Sequence, residues 1–348
     1  MKESYRNSLY FFSLSPAVLV VIGNLNGGIY SAANFFYSLI ILGLLEWLTP
    51  AFTSNKHSKK SDIIPKLILL LHIPFQLLSL LSLFYGLYTH ALVGGWIVMA
   101  AFSTGLNSGT SAIVVAHEFI HCRKRWEKQL GKFLLFTAGN FYFYIEHLVV
   151  HHMWVGTDKD NATAKYGESL YSFFSRSVIG QVKGAYSQEA KRLLGRNKKA
   201  FSLHNYVIGQ MVLHLILIVF LFIMFGGLGI LAWLIQCFVA NFLLEYVNYI
   251  QHYGLNRDEK QRTTEEHSWE SNQFASRFVL VDLSRHADHH YFAAKPYHTL
   301  DSFEKSPKLP SGYAGLFFIA AVPFLWRKLV HERLRIFKEE MASEKFKN

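Results

Sequence analysis

Residues 66–89, KLILLLHIPFQLLSLLSLFYGLYT, carry no charge after Lys66, and residues 91–116, ALVGGWIVMAAFSTGLNSGTSAIVVA, carry none at all. About 20 apolar residues make a helix long enough to cross the hydrocarbon of a bilayer. Within that layer the backbone must satisfy its own hydrogen bonds, which leaves helices or closed barrels. Runs this long therefore restrict the chain to an all-α membrane fold. Four more stretches pass the same test: residues 8–23, ended by the turn signal NLNGG; 29–49, closed by Thr49-Pro50; and the pair 207–225 and 229–251, joined by GGLG at 226–229. The expectation is about six transmembrane helices in a single integral membrane domain, residues 1–348. Composition agrees, with 51% hydrophobic and only 17% charged residues, against about a quarter charged in soluble domains. No linker and no repeat of fixed period stands out. The opening MKESYRNSLYFF lacks a small-residue cleavage site, so the first span is read as retained. Two further apolar stretches, 133–150 and 314–326, are expected to be helices lying in the interface or partly embedded. The first contains Glu146 and His147, and the second is too short to cross.

Lysine and arginine set the orientation. The connections after spans one, three and five contain neither residue. The connection after span two holds Lys56, Lys59, Lys60 and Lys66, and the long segments after spans four and six hold most of the rest. By the positive-inside rule both termini and all three long segments face the cytoplasm. The formal charge of +11 then lies on one membrane face, where it meets anionic headgroups. Nucleic acid is not an expected partner of a chain anchored this way.

Nine of the 17 histidines fall in four clusters that this topology sends to the same side. His117 and His121, in HEFIH, stand four apart at the end of span four, on one helix face. His147, His151 and His152, in EHLVVHH, repeat the i, i+4 spacing and add a neighbour. His252 ends span six, and His286, His289 and His290 follow at i, i+3, i+4 in HADHH. Such spacings let a helix present two or three imidazoles to a common centre. His57, His72, His90, His204, His214 and His331 are read as ordinary structural or surface histidines. Nine imidazoles exceed the needs of one catalytic zinc, which takes about three protein ligands and a water; two metal ions use them better. A zinc protease with Glu118 as general base would leave six or seven histidines unused. Spacing does not choose between two zincs and two irons, since imidazole suits both. Cys122 and Cys237 are too few for a cysteine-held cluster, and no glycine fingerprint follows a strand to bind flavin or nicotinamide.

The wording of the motifs goes further. HEFIH, EHLVVHH, NYIQHYGL (248–255) and LSRHADHH (283–290), with GESLY (167–171), HSWESN (267–272) and LPSGYAG (309–315), closely resemble the membrane-bound alkane 1-monooxygenases. These belong to the histidine-rich di-iron superfamily that also holds xylene monooxygenase and membrane fatty-acid desaturases. The resemblance runs from about residue 110 to 325. It implies that His117, His121, His147, His151, His152, His252, His286, His289 and His290 hold two non-haem iron ions. Glu118, Glu146 and Asp288, beside these ligands, would support them from behind, with direct ligation or a surface role as the alternative. His267 would do the same, with ligation left open, and Asn248 and Tyr249 would do similar work. Arg285 would balance Asp288 or meet headgroups. Phe119-Ile120 replace a smaller pair in the first motif, Ala287 replaces a Ser, and His298 stands where the family often has Gln.

The implied reaction inserts one atom of dioxygen into the terminal C–H bond of a medium-chain n-alkane taken from the bilayer. The other atom leaves as water. Electrons would come from rubredoxin, served by a rubredoxin reductase, at the cytoplasmic face of a bacterial inner membrane. Two cysteines cannot make a four-cysteine rubredoxin site, so the donor is a separate protein. The basic stretch Lys183, Lys191, Arg192, Arg196, Lys198 and Lys199 is its expected docking face, with lipid headgroups the competing assignment. A fatty-acid or lipid desaturase on the same scaffold is the alternative, followed by a membrane zinc hydrolase.

Overall fold

A computed structural model describes residues 3–55 and 63–345; Lys2, Lys56, Lys59, Lys60 and His57 lie outside them. The described chain is helical, and its one β-contact is an isolated bridge between Glu270 and Lys308. The principal helices are α1 (Arg6–Asn26), α2 (Gly28–Leu48), α3 (Ile63–Tyr88) and α4 (Gly95–His121). α5 (Arg125–Thr137) follows, and then α6, which joins Phe143–Ile145, Glu146–His151 and His152–Trp154. Next come α7 (Leu170–Leu194), α8 (Tyr206–His252), α9 (His286–Tyr291), α10 (Tyr313–Ala321) and α11 (Pro323–Lys345).

Five of these, α1 to α4 and α8, are long and apolar enough to cross a membrane. α8 has 47 residues, about 70 Å if straight at 1.5 Å per residue. It is not straight. Gly226 has φ 63° and ψ −156°, a conformation that a side chain would strain. A Cβ on Gly229 would lie 3.0 Å from the carbonyl oxygen of Leu221, eight residues earlier; an unbroken helix separates such residues by about 12 Å. The chain doubles back at Gly226, where the sequence places its GGLG connection, and α8 is two arms. Its outward residues include Leu215, Ile216, Phe222 and Ile223, all exposed. Soluble surfaces rarely carry a continuous apolar face of this kind.

α4 is the most buried of the five. Gly105 lets it approach the second arm of α8, since a Cβ there would be 2.7 Å from the Gln236 carbonyl oxygen. Side-chain amides and hydroxyls bind the spans from within. Asn24 donates to Ser82 at 3.1 Å and Thr104 at 3.3 Å, Asn107 donates to Gln76 at 3.1 Å, and Ser108 donates to Gln236 at 3.0 Å. In lipid, where hydrophobicity does not drive helices together, such bonds and small-residue contacts do.

The helix ends fall into two sets. At one end the connections 24–28 and 86–92 touch, with Gly27 against Ala91 and Gly86 against Asn24, and Phe225 packs on a cluster that includes Leu92 and Ile97. At the other end, Arg6 donates to the His298 carbonyl, Asn55 donates to that of Ser302, and Lys66 pairs with Glu127 at 2.5 Å. That second end carries the histidines. The stretch 133–150, expected as one helix, is broken at Gly139, whose φ of 70° ends α5 and lets the chain turn into α6. The segment 314–326 is likewise two pieces, α10 and the start of α11. α10 packs on α2, with the Trp47 indole donating to the Gly315 carbonyl at 3.0 Å.

Candidate metal centre

Each histidine motif reaches the centre by a different local route. The last turn of α4 presents His117 and His121, whose rings lie 5.1 Å apart. α4 arrives there through a π-helical turn at Ser108–Ile113. α6 contains a second π turn, Glu146–His151, with an i→i+5 repeat in place of i→i+4. Its effect is visible in the imidazoles: Nε2 of His147 is 3.0 Å from Nε2 of His152, five residues on. An α-helix would pair His147 with His151. Here His151 turns to other partners, and the four-residue spacing read in EHLVVHH is corrected to five. His252 ends α8, and α9 divides its histidines, with His289 facing one way and His286 and His290 another.

All nine candidate ligands converge, in two groups. His117, His121, His147, His152 and His289 offer nitrogens within 4.8 Å of one another, as do His151, His252, His286 and His290. In the first group the Nε2 atoms of His121, His147 and His152 form a triangle with sides of 3.0, 3.2 and 3.0 Å, and Nε2 of His289 is 3.2 Å from that of His152. Each imidazole nitrogen has a single in-plane lone pair or N–H, so a closed triangle cannot be satisfied by hydrogen bonds. It is the arrangement of nitrogens aimed at one point. With imidazole–metal bonds of about 2.0–2.1 Å, ligands at right angles sit about 3 Å apart. The Nε2 atoms of His117, His151 and His252 are buried without a hydrogen-bond partner, a costly state that a metal would relieve. Burial, and then the neighbouring imidazoles, hold His286, His289 and His290 well below the usual histidine range. They are neutral and offer lone pairs. The residues fit a pair of metal ions.

The supporting residues divide less evenly. His267 acts through its main chain: its carbonyl accepts from Nδ1 of His252 at 3.2 Å, while its ring accepts the Thr264 N–H at 3.0 Å. It is outside both ligand groups. Glu146 is buried against Gly184 of α7, where burial and then the Asp160 carboxylate push it up to about 8. Glu118 accepts the Tyr297 N–H at 3.3 Å. Asn248 donates to Glu245 at 3.4 Å, and the Tyr249 hydroxyl donates to the Glu168 carbonyl, away from the centre. Asp288 takes Lys295 at 2.5 Å and the Asp301 N–H at 2.7 Å. Arg285 neither balances Asp288 nor meets headgroups. It is fully buried and donates to Asn272 and the carbonyls of Leu300, Phe52 and Ser54. A guanidinium can serve this many acceptors at once, so Arg285 pins the chain after α2 beneath α9.

One residue was not anticipated. Asp160 accepts from Nδ1 of His151 at 2.9 Å and from the Thr163 hydroxyl at 2.7 Å. Burial alone would raise this carboxyl, but its neighbour His151 and the hydrogen bonds from His151 and Thr163 hold it below the usual range. An ionised Asp160 keeps the proton on Nδ1 of His151 and leaves Nε2 free to ligate, the common carboxylate–histidine–metal arrangement. No motif marks it within TDKDNATAK.

A largely apolar cavity opens on the centre, reaching His117, His147 and His286. Leu39 and Leu42 of α2, Ile113 and Val114 of α4, Val247 of α8 and Phe317 of α10 line it. Its polar lining is committed elsewhere: Ser38 donates to Asn34, Thr110 to the Leu106 carbonyl, Ser276 to Glu46 and Gln251 to Tyr313.

Comparison with known proteins agrees with this arrangement. Residues 95–320 match the fatty acid desaturase family. The chain is 38% identical to alkane 1-monooxygenase 1 of Pseudomonas aeruginosa, over 72% of this chain and 65% of that protein, slightly under two thirds of its length. It is 36% identical to alkane 1-monooxygenase 2 of Alcanivorax borkumensis, over 73% and 67% of the two chains. With alkane 1-monooxygenase 1 of the same organism it is 31% identical, over 86% and 78%. Paired imidazole groups at the end of an apolar cavity, on an all-helical scaffold matched over this length, place the chain in the fatty acid desaturase family, on the branch that contains the alkane 1-monooxygenases.

Proposed function

We propose that this chain is a membrane di-iron monooxygenase that hydroxylates the terminal carbon of medium-chain n-alkanes with dioxygen and electrons from a rubredoxin. The observation that carries the reading is the cavity: lined mainly by apolar side chains, it reaches three candidate ligands drawn from both imidazole groups. The nine histidines would hold two iron ions, which when bound supply the redox chemistry of dioxygen activation. The reaction takes alkane, dioxygen, two electrons and two protons to alcohol and water.

The chain's own residues bind, orient and exclude. Leucine, isoleucine, valine and phenylalanine side chains hold a hydrocarbon without giving water a partner. The walls direct one end of it toward His117, His147 and His286. Asp160 fixes the tautomer of His151, and the His267 carbonyl fixes that of His252. The committed polar lining supports an alkane over the acyl head group that a desaturase must anchor. We further propose six membrane crossings, counting both arms of α8, with the histidine end facing the cytoplasm of the bacterial inner membrane.

Octane supplied with labelled dioxygen tests the reading. The expected product is 1-octanol, or the 1-alcohol of a near homologue, carrying the label, with about two irons per chain. An alkene as main product favours the desaturase. Zinc in place of iron, or alcohol oxygen drawn from water, overturns the assignment.

A further inference from the structure

Electron transfer through protein weakens steeply with distance, so a donor must seat itself where the metal-binding groups come nearest to solvent. Seven of the nine imidazoles are buried; His121 and His152, both in the first group, are partly exposed. Their ring centres are 4.7 Å apart, so they form a single visible edge. The chain leaving His121 turns at once into Arg123, Lys124 and Arg125, all exposed. Trp126 follows at 47% exposure, and Met153, directly after His152, is 59% exposed. The acid of this turn, Glu127, is buried and already paired with Lys66 at 2.5 Å. Three exposed basic side chains thus follow His121 directly in the chain, with no acid between residues 122 and 126.

The basic stretch 183–199 is placed less well. Arg192 is spent on Glu189 at 2.7 Å and on the His204 carbonyl. α7 also meets the centre through Gly184 packed on Glu146, which leaves a buried glutamate between helix and imidazoles. Exposed tryptophan and arginine together are the residues that most often anchor protein interfaces, and unopposed charge speeds encounter with an oppositely charged partner.

We propose that the turn 123–126, with Met153, is the docking surface for an acidic one-electron carrier protein, and that electrons enter over the edge of His121 and His152. The inference rests on the monooxygenase reading for the donor's identity. The 183–199 stretch then forms a rim or meets headgroups.

The test uses the full chain in nanodiscs and an acidic rubredoxin. Water-soluble carbodiimide joins donor carboxylates to nearby lysines without turnover, so it reads docking even where alkane oxidation fails. The expected cross-link is to Lys124. In turnover, R123E/K124E/R125E should raise the Michaelis constant for donor at least tenfold and leave that for octane, and dithionite-driven oxidation, unchanged. K191E/K198E/K199E should move none of these. Cross-links confined to Lys183, Lys191, Lys198 or Lys199, with an unchanged donor constant in R123E/K124E/R125E, overturn the proposal. So does an effect of R123E/K124E/R125E seen only in discs containing anionic lipid, which assigns the turn to the membrane. Octane oxidised by neither rubredoxin nor dithionite sinks the monooxygenase reading and leaves the cross-link to decide docking.

Discussion

His151 and His152 are neighbours in the chain and fall in different imidazole groups, a division made by the π turn that His151 ends and His152 follows. His151 alone of the four in its group has a carboxylate behind it, Asp160, with Thr163 and the Ala162 N–H holding that carboxylate in turn. Losing such a partner generally costs about 10–100-fold in metal affinity or activity. Asp160→Asn should therefore weaken metal retention by about that factor in the second group, while the first keeps its ion. Dialysis against graded chelator, with metal counted per chain, should show a plateau near one ion for the variant where the parent holds two. A variant that releases both ions together, or neither, would contradict the division. The nine histidines that converge were legible as candidate ligands because four separate motifs contained them. Asp160 was not, because Asp158 in the same loop is chemically identical; one side chain is 91% exposed and the other buried, a difference made by tertiary packing.

At the scale of elements, charge-free runs located the long helices well, since the bilayer sets their length regardless of what lies inside them. The polar contacts between spans escaped the same reading. Hydropathy averages over a window, so Asn24, Gln76, Asn107 and Gln236 vanish among leucines, although they face one another in the interior. The broken segment 133–150 was missed for the opposite reason: a single glycine at positive φ overrides an apolar pattern. A tight packing contact between two elements that both carry candidate ligands is Gly105 of α4 against Gln236 and Val239 of α8. Forcing a side chain into such a contact costs about 1–3 kcal/mol, and it would part His117 and His121 from His252. Gly105→Ala should thus lower the thermal unfolding midpoint in detergent and reduce bound metal. Gly95→Ala, at a position with nothing within 4 Å of the added carbon, should alter neither. Equal effects of the two substitutions would show that helix propensity, not the α4–α8 contact, is being measured.

For the molecule as a whole, the two sets of helix ends carry the functional geometry. One end is built of short connections around Gly27, His90 and Gly226; the other gathers residues 49–55, the turn after α4, α6, α7 and the described residues after His252. Arg285 and Arg277 tie the Phe52 carbonyl to the segment around α9, and Lys66 ties α3 to α5, so these pieces cannot lie on opposite sides of a bilayer. The histidine end also holds the exposed cations Arg123, Lys124, Arg125, Lys191 and Lys198, which favour the cytoplasmic side by the positive-inside rule. Reporter fusions after residues 165, 200 and 260 should therefore all read cytoplasmic. Fusions after residues 90 and 226 should read external, the second because the chain doubles back at Gly226. A cytoplasmic reading at 226 would mean that the first arm of α8 does not cross. An external reading at 165 or 260 would place His151 or the α9 histidines across the membrane from His117, and the shared metal centre could not form.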